Sequence, residues 1–189
     1  MARSGNARAA AVKLLRTIRL DPSDTFVFET AAEPGEWAVS GGFVFVNAEA
    51  DQLSGKARSA FRAGLLGIHS LGWSTLAQVV EASESDRAGM VDVLARRLVE
   101  RFGAPDLGTA RAAAEEEVAF AVSLTDHPPG TLIAVHRVRE DGLVRETFRT
   151  LRPREGEKPL RAFAFMQVEG EDDASEGVDL VGLAQDARK

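Results

Sequence analysis

The residues best suited to acid–base or metal chemistry are three histidines, His69, His127 and His136. They fall in separate segments. No His-x-x-x-His or His-Glu-x-x-His spacing puts two ligands on one helical turn. Cysteine and tyrosine are absent, which removes disulfides, thiolate chemistry, Cys-ligated zinc and phenolic acids. Ser54-Gly55-Lys56 follows an expected strand and opens an expected helix, the setting of a phosphate-binding loop. Ala50 stands where that loop needs its first glycine, and Ala57 replaces the metal-binding hydroxyl. Gly72-Trp73-Ser74 begins like a nucleophile elbow, but Leu76 occupies the place of the second glycine. Asp24, Glu29, Glu33 and Glu36 crowd ahead of Trp37, and paired carboxylates beside an aromatic ring suit glycoside hydrolysis. These acids fall in Pro- and Gly-rich turns, where charged residues are the default.

Arg137 to Arg161 holds eight basic and five acidic residues. Arginine forks match carboxylates and phosphates. Alternate residues of a strand share a face, so Arg145 and Arg149 project together. With His136 nearby and Trp37 as an apolar wall, they are the candidate site for a small anionic ligand between sheet and helices. Few aromatics interleave these arginines, so a single-strand nucleic-acid platform is not expected. No metal or cofactor is expected, and no reaction can be selected.

The elements that must position these residues read as follows. Val12 to Leu20 alternates like a half-buried strand, although Arg16 interrupts its apolar face and Leu15 its polar one. A Pro22 turn, a strand at Thr25–Glu29, a Pro34-Gly35 turn and a strand at Phe43–Val46 predict a three-strand meander. The stripe Leu53, Ala57, Ala60, Phe61, Gly64, Leu65 and Ile68 predicts a helix, and Trp73 to Glu81 a fourth strand. Ser83-Glu84-Ser85-Asp86 caps a second helix that stops at Gly103. Asp106 or Thr109 caps a third, running to about Thr125.

The hairpin that follows carries the strongest strand signal. Thr131–Val138 and Leu143–Leu151 flank Asp141-Gly142, which supplies the positive φ angles of a type I′ turn. That register sets Val135 opposite Phe148 and Arg137 opposite Glu146, an apolar pair and an ion pair on one face. A last extended segment spans Leu160–Val168.

The chain of 189 residues and 20.3 kDa has ordinary globular composition, and its length suits one domain. The expected architecture is α+β: a largely antiparallel sheet of about six strands with two or three helices packed on one face. The β-α-α-β portion, residues 73–138, leaves open a parallel crossover of its end strands. Residues 1–168 form the domain, and 169–189 an acidic, partly mobile tail. The net charge of −6 opposes indiscriminate nucleic-acid or membrane binding. It is unevenly spread: 137–161 is net +3, whereas Glu169–Glu176 carries five acids. No signal peptide or membrane span is evident, so the expected location is cytoplasmic.

The stretches Leu15-Arg16-Thr17-Ile18-Arg19-Leu20-Asp21-Pro22-Ser23-Asp24-Thr25-Phe26-Val27-Phe28 and Ala31-Ala32-Glu33-Pro34-Gly35-Glu36-Trp37-Ala38-Val39-Ser40-Gly41-Gly42-Phe43 add a further indication. Together they resemble an uncharacterised proteobacterial family, a domain of unknown function. The likeness is strongest over residues 14–46. It implies a small bacterial cytoplasmic protein and attaches no activity or catalytic residue. The residues themselves, with no metal cluster, thiol, tyrosine or complete cofactor loop, leave two expectations. The first is a non-enzymatic accessory or protein-interaction domain, its partner a second copy of itself or another protein. The second is an anion-binding protein, or small enzyme, with its site at Trp37, His136, Arg145 and Arg149.

Overall fold

The hairpin anticipated from Asp141-Gly142 is the spine of the larger sheet. The computed structural model describes residues 11–48, 52–153 and 166–169. Asp141 and Gly142 have φ of 51° and 78°, as a type I′ turn requires. They join β6 (Leu132–Glu140) to β7 (Leu143–Pro153). The register is the expected one, with Val135 opposite Phe148 and Arg137 opposite Glu146.

Around it run β1 (Ala11–Ile18), β5 (Leu76–Ser83) and β8 (Met166–Glu169), in the order β1-β5-β6-β7-β8, all antiparallel. A second sheet holds β2 (Ala38–Val39), β3 (Leu65–Gly67) and β4 (Trp73–Ser74). The two sheets are bridged. β4 leads into β5 across Thr75, and an antiparallel bridge joins Arg16 to Trp37. The helices are α1 (Ser23–Val27), α2 (Gly55–Ala63), α3 (Glu84–Phe102) and α4 (Leu107–Ser123). Among the described residues, no helix is long and apolar enough to cross a membrane.

The class is α+β as expected, and the departures from expectation have physical causes. Thr25–Glu29 is not a strand, because Ser23–Val27 forms one helical turn. As a strand it would put Phe26 and Phe28 on one face. The helix buries Phe28 and leaves Phe26 73% exposed. Phe43–Val46 is not a strand either, because Gly42–Phe45 is a 3-10 turn. That turn sends Phe43 edge-on to Phe102 of α3 and Phe45 against Phe61 and Trp73. The three-strand meander therefore does not form.

The helix expected to reach Ile68 stops at Ala63, because Leu65–Gly67 pairs with both β2 and β4. β5 and β6 pair antiparallel, excluding the parallel crossover. Two helices lie between them, so there are three connections, and a reversal at each returns the chain in the opposite sense. The segments 160–165 and 170–189 lie outside the described residues.

The capping box anticipated at Ser83 is present: Ser83 Oγ accepts from the Asp86 N–H, and Asp86 accepts from the Ser83 N–H. Hydrogen bonds from Ser83 hold the Asp86 carboxyl below its ordinary pKa. Asp106 caps α4 through the Thr109 N–H, with the same effect on its own carboxyl. The main core joins Leu15, Val79, Ile133 and Val135 of the sheet to Leu94, Ala114 and Val118 of the helices. β1 is buried on both sides, at Leu14 and at Leu15, which accounts for its broken alternation.

Close approach leaves no room at Gly72, where a Cβ would fall 2.6 Å from the Ala31 carbonyl and the Ala32 nitrogen. Gly89 in α3 faces open space. Gly72→Ala should therefore cost about 1–3 kcal/mol, and Gly89→Ala should gain about 0.5–1 kcal/mol. Urea denaturation of both variants checks the pair, and equal effects would contradict this packing.

Candidate functional site

The β6–β7 pairing sorts its side chains onto two faces. Val135, Arg137, Glu146 and Phe148 share the covered face, and Phe148 meets Phe120 of α4 there. Ala134, His136, Val138, Leu143, Arg145, Thr147 and Arg149 share the other. On that open face every one is exposed except half-buried Ala134.

Behind it lies a buried arginine. Arg137 is 0% exposed, and all its N–H groups have acceptors. Nε donates to Glu146 Oε1 at 2.5 Å. Nη1 donates to the carbonyls of Gly64 at 2.7 Å and Phe61 at 3.1 Å, at the C-terminal end of α2. Nη2 donates to the Ser40 carbonyl. A cation at a helix C-terminus meets the negative end of the helix dipole. The Ser40 hydroxyl donates to Glu146, and the Gly41 N–H donates to Glu117 of α4 at 3.0 Å. Gly42 keeps the approach open, since a Cβ there would lie 2.7 Å from Glu146 Oε1.

The cluster holds two carboxylates for one guanidinium. Burial, with repulsion from Glu146, raises the Glu117 pKa against the opposing pull of the Gly41 N–H and Arg137. Burial lowers that of Arg137, opposed by Glu146 and Glu117.

Two other buried carboxylates are consumed in holding loops. Glu36 accepts from the backbone N–H of Glu33, His69 and Ser70 and from the Ser70 hydroxyl. Asp24 accepts from the N–H and hydroxyl of Thr75. The Ser74 hydroxyl donates to the Leu76 carbonyl at 2.8 Å. The same hydroxyl also lies 3.3 Å from Asp24 Oδ2. Glu33 is exposed, and Lys56 stands exposed at the start of α2. Exposed His69 and half-buried His127 stand in other loops, and the His127 carbonyl accepts from Lys13. Among the described residues, no three His, Asp or Glu side chains gather as metal ligands.

Of the four residues expected to make a site, three share the open face. His136 and Arg149 line a recess of about 350 Å³ with Ala134 and Val135. Arg145 lies one non-neighbouring pair further along, its Nε 2.7 Å from Glu140. Trp37 is elsewhere, beyond β1 and β5, half-buried with the Arg16 guanidinium 3.8 Å from its ring centre. The Arg137–Glu146 pair was readable from the hairpin register. Its reach to Ser40, α2 and Glu117 had no sequence signal, because those partners are 20 to about 100 residues away.

A family model matches residues 12–170, from the start of β1 through β8. The chain belongs to DUF6505, a family of unknown function. No curated protein and no solved structure matches it. Membership in DUF6505 agrees with the resemblance noted over residues 14–46, and it covers both the open face and the buried arginine.

Two predictions follow from the cluster. Arg137→Ala strands Glu146 and the α2 carbonyls, and should cost about 3–5 kcal/mol in urea denaturation. Arg137→Lys should recover only part of that, since an ammonium lacks the fork. Glu117 gives the second. Its raised pKa means that folding favours the protonated form, so its penalty grows as pH rises above the ordinary glutamate range. Glu117→Gln should raise the melting temperature at pH 7 and converge with wild type in acid. A variant less stable than wild type at pH 7 would refute this.

Proposed function

We propose that this chain is a non-enzymatic protein-interaction domain of the bacterial cytoplasm, and that it takes an acidic partner segment on the open face of the β6–β7 hairpin. One observation carries the reading. Arg145, Arg149 and His136 stand on one exposed sheet face beside Val138, 37% exposed, and Leu143, 65% exposed. Apolar surface supplies the attraction of an interface, and arginine forks select carboxylates. The buried ionisable groups support the same reading from the other side. Arg137, Glu146, Glu36 and Asp24 are engaged within the fold, so they hold structure and leave recognition to the surface.

A small anion is the second reading, favoured by the recess between His136 and Arg149. Its size suits a compact ligand, as pockets begin at roughly 300 Å³. Trp37 contributes to neither reading where it stands.

Two probes separate the readings: a ten-residue glutamate-rich peptide and inorganic phosphate, each titrated into ¹⁵N-labelled protein. The peptide should shift the amides of 134–138 and 145–149, and Arg145→Glu with Arg149→Glu should abolish the effect. Raising salt from 0.05 to 0.5 M should weaken it, because the screening length for exposed charges falls from about 14 to about 4 Å over that range. Shifts with phosphate alone would favour the small-anion reading. No shift with either probe would overturn both.

A further inference from the structure

We infer that the acidic partner surface belongs to a second copy of this chain, whose α1 face docks on the open hairpin face, head to tail. This deepens the reading above and rests on the hairpin face being a binding surface.

The α1 face has three features that suit a partner. The first is exposed apolar area. Leu20, Phe26 and Val27 fall within eight residues and are 61%, 73% and 40% exposed. Apolar side chains gathered in this way mark contact surfaces. The second is charge. From Leu20 to Pro34 the chain holds Asp21, Asp24, Glu29 and Glu33 and no base. Asp21, Glu29 and Glu33 are exposed. Hydrogen bonds from Ser23 hold the Asp21 carboxyl below its ordinary pKa, which keeps it ionised. The flanking Arg16 and Arg19 donate to the carbonyls of Gly35 and Ala32. The third is a recess of about 230 Å³, where Ile18, Leu20 and Leu76 meet Asp21, Asp24 and Thr75. Small-molecule pockets begin at roughly 300 Å³, so this one suits a single inserted side chain.

The open hairpin face is the complement of this surface. Val138 and Leu143 offer apolar area, and Arg145 stands two residues from Leu143 on the same face. An arginine entering the recess lays its stem along Ile18, Leu20 and Leu76 and turns its fork to Asp21. Arg145 must leave Glu140 to do so. Both side chains of that pair are 58% exposed, and such a pair contributes little.

The two faces do not meet within one molecule. Phe28, which follows α1, is buried with Phe45 and Phe61, and Val144 packs against that cluster. Val144 alternates with Leu143 and Arg145, so the cluster lies beneath the covered side of the hairpin. α1 is therefore on the side opposite the open face. A contact between two different faces is not closed by a two-fold axis and leads to rings or open chains. Patches of this size give weak complexes, with Kd of about 1 μM to 1 mM.

Sedimentation of the full chain over about that same concentration range should show an average mass that rises past the dimer. Phe26→Asp disables the α1 face, and Leu143→Asp with Arg145→Glu disables the hairpin face. All three side chains are exposed, and a matching amide spectrum shows that the fold is kept. Each variant alone should associate at least about tenfold more weakly than wild type. An equimolar mixture should form a one-to-one pair and stop there, since each variant keeps the face that the other lacks. In that pair, amide shifts should fall at 20–30 in the hairpin variant and at 134–138 and 143–147 in Phe26→Asp.

A monomeric wild type overturns the proposal. So does association that persists in either variant alone, and so do variants that fail to pair when mixed. Pairing without binding of the glutamate-rich peptide upholds the contact between copies and overturns the reading of a free acidic segment. Peptide binding by a wild type that stays monomeric does the reverse.

Discussion

A single buried guanidinium ties together parts of the chain that have no other reason to meet. Arg137 belongs to β6, yet its hydrogen bonds end on β7, on the last turn of α2 and on the loop after β2. Burying a charge costs several kcal/mol unless its partners are well placed. Here each N–H group is aimed at an oxygen, so the penalty is offset only when all these elements are in position. That makes the arginine a geometric constraint more than a source of net stability. It also explains the small residues around it. A side chain at Gly42 would collide with Glu146, and one at Gly41 with Leu66 and Trp73.

The same economy governs the other buried acids. Glu36 holds the loop at His69 and Ser70, and Asp24 holds the bend between β4 and β5. Each carboxylate accepts several N–H and O–H groups, an arrangement that satisfies a buried charge and leaves it little freedom to react. The polar interior is thus spent on joining loops to sheets. His136, Arg145 and Arg149 lie exposed on the outer side of the hairpin.

The segments read well from the sequence are those whose signals are local. Asp141-Gly142 dictates a turn geometry, and a turn of known length dictates register, so the facing pairs came out as expected. Ser83 with Asp86 and Asp106 with Thr109 are three-residue capping patterns, and they mark the starts of α3 and α4. Residues 25–46 read badly. Phe26, Phe28, Phe43 and Phe45 alternate as a strand would, and the pattern cannot reveal that their pockets lie in different directions. Phe45 is drawn to Phe61 and Trp73, and Phe43 to Phe102, contacts made across 16 to about 60 residues. Burial of those rings outweighs the modest strand propensity of the run.

The sequence by itself determined the α+β class, the hairpin with its register, the capped helix pair, and the pairing of Arg137 with Glu146. These follow from steric and hydrogen-bonding rules that act within a few residues or across one tight turn. Only the tertiary structure decided that Arg137 is enclosed by α2 and the Ser40 loop while Arg145 and Arg149 face outward. Alternation separates the arginines onto two faces but does not say which face the helices cover. Tertiary structure also carried Trp37 away from His136, since its place on the outer edge of β1 depends on a bridge to Arg16. Such pairings are chosen by the whole core at once, and no window of the chain contains both partners.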